Sequence, residues 1–145
     1  MSFKRILLAS TAMAAVAGCS SVPSAQSQVQ RQAAYAAAAG APVKSFRIFM
    51  PLWSWEPLGT DQVAVYTKPK EAWLLDVPGC TELPYANVIG LTSNLNQVSI
   101  HFDKVITGRN QLTCAIQQIR PVDVGRLKGL QQEQRQVTAE PRAGD

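Results

Sequence analysis

The sequence predicts a mainly β domain: a small antiparallel sheet or partly closed barrel, disulfide-stapled, with one short C-terminal helix. Three observations carry this. Short stretches such as Gln62–Lys68 and residues 97–102 alternate in polarity with period two, the pattern of a half-buried strand. Turn-prone clusters punctuate them: Lys68-Pro69-Lys70-Glu71, Pro78-Gly79 and Ser93-Asn94-Leu95-Asn96. Within this stretch lie Cys80 and Cys114, and an even pair in an exported domain reads as a disulfide.

The elements follow in order. Residues 46–49 and 53–56 form an early strand pair. In Gln62–Lys68, Val63, Val65 and Thr67 share one face, and Ala64, Tyr66 and Lys68 the other. Pro69 pre-sets the second position of a tight turn, so residues 72–77 return as the second arm of a hairpin and stop at Pro78-Gly79. Residues 85–92 make a third run. In 97–102, Val98, Ile100 and Phe102 point one way, and 112–119 is a further strand. After Arg120-Pro121-Val122, Asp123 can cap a helix in which Val124, Leu127 and Leu130 recur at three-residue spacing. Gly125 and Gly129 weaken that helix.

The N-terminus has another character. Lys4 and Arg5 precede an apolar run from Ile6 to Ala17, too short to span a bilayer, then small residues and a cysteine. Val16-Ala17-Gly18-Cys19 resembles a bacterial lipobox. The resemblance implies a lipoprotein signal peptide over 1–18, cleavage before Cys19, a diacylglycerol thioether on its sulfur and acylation of the new amine. Each buried methylene is worth about 0.8 kcal/mol, so three chains hold a protein on a membrane permanently. Ser20 follows the cysteine where an aspartate would favour the inner membrane. The expected location is therefore the outer membrane, facing the periplasm.

Residues 19–43 are expected to be the lipidated cysteine and a flexible tether. Serine, glutamine and alanine dominate there, Tyr35 is the one aromatic, and too little apolar surface is present to offset ordering entropy. Such a coil would reach about 25–30 Å. Residues 44–130 form the β-rich domain, near the size at which a hydrophobic core alone is marginal. Residues 131–145, rich in Gln, Glu and Arg, are expected to be disordered or a frayed helix.

Composition narrows the function classes. The net charge of +4 includes Lys4 and Arg5 of the leader, and the remaining cations are scattered, so no nucleic-acid partner is expected. No Gly-rich phosphate loop, nucleophile elbow or paired carboxylates appear. Ser99, His101 and Asp103 are triad residue types at strand spacing, and His101 is the only histidine. Alternate strand residues lie about 7 Å apart, too far for a nucleophile and its base; a solvated polar face is the simpler reading. A zinc site joining the cysteines to His101 lacks a C-x-x-C pair. No cofactor or metal is expected.

Trp53 and Trp55 would share a strand face, as a sugar-stacking platform or as core, whereas Trp73 beside Leu74-Leu75 reads as core. Arg120 could pair with Asp123 at the helix start or grip an anion. Trp53, Trp55 and Arg120 are thus the candidate ligand surface.

The strings Ser45-Phe46-Arg47-Ile48, Trp55-Glu56-Pro57-Leu58-Gly59, Ala72-Trp73-Leu74-Leu75-Asp76, Ile89-Gly90-Leu91-Thr92-Ser93 and the stretch from Cys114 to Asp123 resemble a family of small bacterial envelope lipoproteins whose shared domain has no assigned function. The resemblance covers about residues 44–123. It supports the strand order and the cysteine pair and transfers no catalytic residue. The expected function is a membrane-anchored, non-catalytic binding or envelope-assembly module whose partner is an envelope protein or cell-wall glycan. The alternative is a small hydrolase or transferase using His101.

Overall fold

A computed structural model describes residues 25–108 and 111–139. The signal segment, Cys19 and the last six residues lie outside the described residues. The order is α1 (Ala25–Ala38), β1 (Ser45–Arg47), β2 (Ser54–Pro57), β3 (Gln62–Lys68), β4 (Glu71–Asp76), a 3-10 turn (Leu83–Tyr85), β5 (Ile89–Leu91), β6 (Gln97–Ser99), β7 (Lys104–Thr107), β8 (Leu112–Ala115), β9 (Gln118–Val122) and α2 (Val124–Ala139).

The strands form three antiparallel sheets with no closed barrel: β2-β3-β4-β9, β5-β7-β8 and β1-β6. Period two sorts the large sheet. Val63, Val65, Leu75 and Ile119 face a core shared with the smaller sheets. Ala64, Ala72, Leu74 and Val122 face a second core under both helices. The β3–β4 hairpin forms at the expected turn, with Val65 opposite Trp73. Cys80 and Cys114 are bonded, their Cα atoms 5.6 Å apart.

The tether expectation fails for residues 25–38, which are helix α1. Ala34, Tyr35 and Ala38 are buried against the sheet. Alanines on the helix meet Ala64 and Ala72 on the strands, so the backbones approach closely and little side-chain entropy is lost. An isolated helix of this length is marginal in water; docking stabilises it. Beyond it the chain runs back along β9, through bridges Ala39 to Val122 and Val43 to Ile119.

Of the tail expected to be disordered or a frayed helix, residues 131–139 continue α2, which runs to Ala139. Its start is as expected: the Asp123 carboxylate accepts from the Arg126 backbone N–H at 3.0 Å, an N-cap. Its stripe then turns polar. Gln131 and Gln134 follow Leu127 and Leu130, and Gln134 Nε2 donates to Gln30 O on α1 at 3.0 Å.

Other boundaries shift for local reasons. The early strands do not pair with each other; β1 pairs with β6 and β2 with β3. The 85–92 run holds the end of the 3-10 turn and then β5, with Tyr85 exposed. The 112–119 run is two strands broken at Ile116 and Gln117. The 97–102 run ends at Ser99, because the Asp103 carboxylate accepts from Ser99 N–H at 2.7 Å and the Asp103 N–H donates to Ser99 O at 3.0 Å. His101 takes φ +67° in that turn, and Phe102 is thrown outward, 84% exposed, rather than sharing a face with Val98.

Candidate functional site

The expected triad residue types form a turn, not a triad. Asp103 is buried and committed: one carboxylate oxygen holds Ser99 N–H and the other accepts from the Thr92 hydroxyl at 2.8 Å. The His101 backbone N–H donates to Ile116 O at 2.9 Å, and its side chain is exposed. Asp103 thus fixes a chain reversal rather than orienting an imidazole. The bonded cysteines are not zinc ligands, and among the described residues no group of three or more His, Cys, Asp or Glu converges on a metal position.

The tryptophans divide. Trp55, Val65, Trp73 and Pro121 lie in one row across the sheet. Trp55 and Trp73 pack against the larger core, and Trp73 stacks on Phe46 with ring centroids 4.9 Å apart and planes 18° off parallel. Trp53 lies before β2 and is 65% exposed. The pair is therefore no platform. Trp53 instead shares its loop with exposed Phe49 and Met50. Arg120 lies opposite Leu74, its Nε buried without a hydrogen bond; it makes no ion pair with Asp123 among the described residues.

Sequence reasoning missed the densest cluster of titratable groups. Tyr35 on α1 donates its hydroxyl to Glu56 Oε2 at 2.6 Å and lies 2.8 Å from the Tyr66 hydroxyl. Having spent its one proton, the Tyr35 oxygen accepts from Tyr66. Arg31 bonds the other Glu56 oxygen at 3.0 Å, and Gln32 Nε2 donates to Leu58 O at 2.6 Å. Burial first, then the bond to Glu56, pushes the Tyr35 phenol far above its ordinary range, and burial raises Tyr66 as well. Both stay protonated and fasten α1 to β2 and β3. Gly59 permits this approach: φ is +88°, and a Cβ there would lie 2.8 Å from Gln32 Nε2. The signal was Tyr35, one aromatic at helical spacing from Arg31, Gln32 and Ala38.

A cleft of about 560 Å³ opens beside the disulfide, lined by Glu82, Tyr85, Asn87, Val88, Thr107 and Leu112 among others. Its walls are fixed from below. Cys80 N–H donates to Thr60 O, Leu83 N–H to Cys80 O, and Gly108 N–H to Val88 O. Leu83, the first residue of the 3-10 turn, is fully buried, and Pro84 is its second residue. The disulfide joins Cys80, whose carbonyl accepts from the Leu83 N–H that starts the turn, to Cys114 in β8. Tyr85 is 81% exposed, and Val88 and Leu112 also show apolar surface. The side chains of Glu82 and Asn87 make no hydrogen bond or ion pair among the described residues. Thr107, by contrast, is spent on Leu112 O at 3.3 Å.

A family model described as a family of unknown function (DUF6491) matches residues 2–138. No curated protein and no solved structure matches the chain.

Proposed function

The chain belongs to DUF6491, a family of unknown function, and we propose that it is a membrane-anchored lipoprotein of the bacterial envelope, acting as a non-catalytic binding or assembly module. The observation that carries binding is the cleft beside Cys80–Cys114: walls joined by a covalent bridge, exposed apolar and aromatic surface, and two polar side chains without partners among the described residues. A surface held by such a bridge loses less entropy on being occupied than a free loop would.

The anchor reading rests on the leader ending at Val16-Ala17-Gly18-Cys19. Only Ser20 to Ser24 separate Cys19 from Ala25, where α1 begins. Six residue steps span at most about 20 Å, so the domain rides close to the lipid surface of an outer membrane, on its periplasmic side. The helix extends about 21 Å from that point. Its far end meets β9, where Asp123 N–H donates to Ala38 O. Trp53, whose N–H donates to Tyr66 O, belongs to that far end of the sheet.

Intact-mass and peptide mass spectrometry of membrane-extracted protein tests the anchor. The expected species starts at Cys19 and carries a diacylglycerol thioether, and Cys19→Ser leaves an unprocessed or soluble precursor. An unlipidated mature chain starting elsewhere would contradict it.

A further inference from the structure

We infer that the cleft beside the disulfide binds a chain of N-acetylated amino sugars, with Tyr85 as its stacking surface. The inference rests on the reading of this chain as a binding module and names its ligand class.

Three features of the cleft point the same way. Tyr85 is 81% exposed and sits at the end of a hydrogen-bonded 3-10 turn that contains Pro84. Pro84 precedes it, Leu83 anchors the turn from inside, and Tyr85 N–H donates to Glu82 O at 3.1 Å. A ring so exposed contributes little to packing the fold. Its negative π face attracts polarised C–H groups, and a pyranose presents such groups on one side with hydroxyls around its edge.

The second feature is the pair of unspent polar groups. The Glu82 carboxylate offers two acceptor oxygens and the Asn87 carboxamide offers both donors and an acceptor; neither has a hydrogen-bond or ion-pair partner among the described residues. Planar two-point groups suit adjacent sugar hydroxyls. A carboxamide also complements an acetamido group, whose N–H donates and whose carbonyl accepts.

The third feature is the apolar side of the wall. Val88 is 61% exposed and Leu112 48%, close to the polar pair and lining the same cleft. An acetamido methyl can be removed from water there, whereas an unsubstituted sugar has no group to place against it. Two other grooves lack this combination. The one between the helices is lined by Gln, Arg, Ser and Thr without an aromatic ring, and that around His101 and Phe102 carries no carboxylate.

The test is titration of the full chain, isotope-labelled and held in detergent, with the tetramer of β-1,4-linked N-acetylglucosamine, followed by backbone amide NMR. Shifts should map to Glu82, Tyr85, Asn87, Val88 and Leu112. Tyr85→Ala should weaken binding by about tenfold or more, as loss of a central aromatic anchor does, with an unchanged melting temperature, while Tyr85→Trp should retain it. Cellotetraose, which lacks the acetamido groups, should bind more weakly. Absence of shifts at millimolar sugar, shifts confined to another surface, or wild-type affinity in Tyr85→Ala would overturn the inference. Equal affinity for cellotetraose would overturn its acetamido part. None of these outcomes touches the lipid on Cys19, which mass spectrometry reads independently.

Discussion

One face of the four-stranded sheet is covered by strands and sealed by aliphatic and aromatic side chains, with Trp73 stacked on Phe46 and a disulfide at the margin. The other face is covered by two helices that meet it through alanines, Leu74 and a single buried tyrosine. The first face depends on volume and a covalent staple. The second depends on close approach and a polar clasp, Tyr35 to Glu56 and Tyr66. The strand-side face carries the cleft, near the Cys80–Cys114 bridge. The helix-side face receives the N-terminal helix α1.

The largest effect is expected where the strand-side core loses volume. Trp73→Ala removes the ring stacked on Phe46 and should cost about 3–5 kcal/mol, enough to unfold much of the population of a marginal domain. Thermal denaturation reads it; a melting temperature within a degree or two of wild type would break the comparison at its stronger side. Next comes the staple. The bridge closes a loop with sequence separation 34, for which chain entropy gives about 3–4 kcal/mol. Alkylation without reductant should label neither Cys80 nor Cys114, and Cys80→Ser/Cys114→Ser should lower the denaturation midpoint accordingly.

The clasp is weaker. Tyr35→Phe keeps the ring and loses the bond to Glu56, which should cost about 1–3 kcal/mol; the partly exposed Arg31–Glu56 pair adds little. Its pH dependence has a definite sign. The folded phenol of Tyr35 is raised, by burial and then by Glu56, so its contribution is complete below the unfolded value of about 10 and is lost as pH rises above that toward the folded value. Alkaline titration of helix content should show α1 loosening above about pH 10 in wild type, with a smaller alkaline decline in Tyr35→Phe. The smallest effect belongs to Trp53. At 65% exposure, its alanine variant should melt as wild type does, within the roughly ±0.5 kcal/mol of surface substitutions; a large loss would place Trp53 in the core.

The two faces also differ in how far they were legible in the sequence. Val63, Val65 and Thr67 alternate with Ala64, Tyr66 and Lys68, and the two arms are bounded by Pro69 and Pro78, so the hairpin could be placed closely. Asp123 before Val124 and Leu127 announced α2. Its continuation past Leu130 did not show, because Gln131 and Gln134 meet another helix with amides, and an amide stripe carries no hydrophobic period. Helix α1 was hidden for the same reason: its buried residues are Ala34, Tyr35 and Ala38, and alanine reads equally as linker or as close packing. The strand break at Ser99 followed from Asp103, whose carboxylate competes with the ladder for backbone N–H groups, information local to one side chain. In the candidate site the disulfide was legible from Cys80 and Cys114. Tyr85 was not, since it sits in a run that alternation assigned to a strand.

The claim on which both the comparison and the anchor geometry turn is that the folded body begins at α1, within a few residues of Cys19. Hydrogen exchange of the full chain by mass spectrometry tests it most directly. The account predicts that amides of residues 29–38 exchange orders of magnitude more slowly than an unstructured chain, and that Tyr35→Phe speeds them selectively while β3 and β4 stay protected. Exchange of 29–38 at the rate of a free coil, with the sheet still protected, would contradict it and restore a long tether.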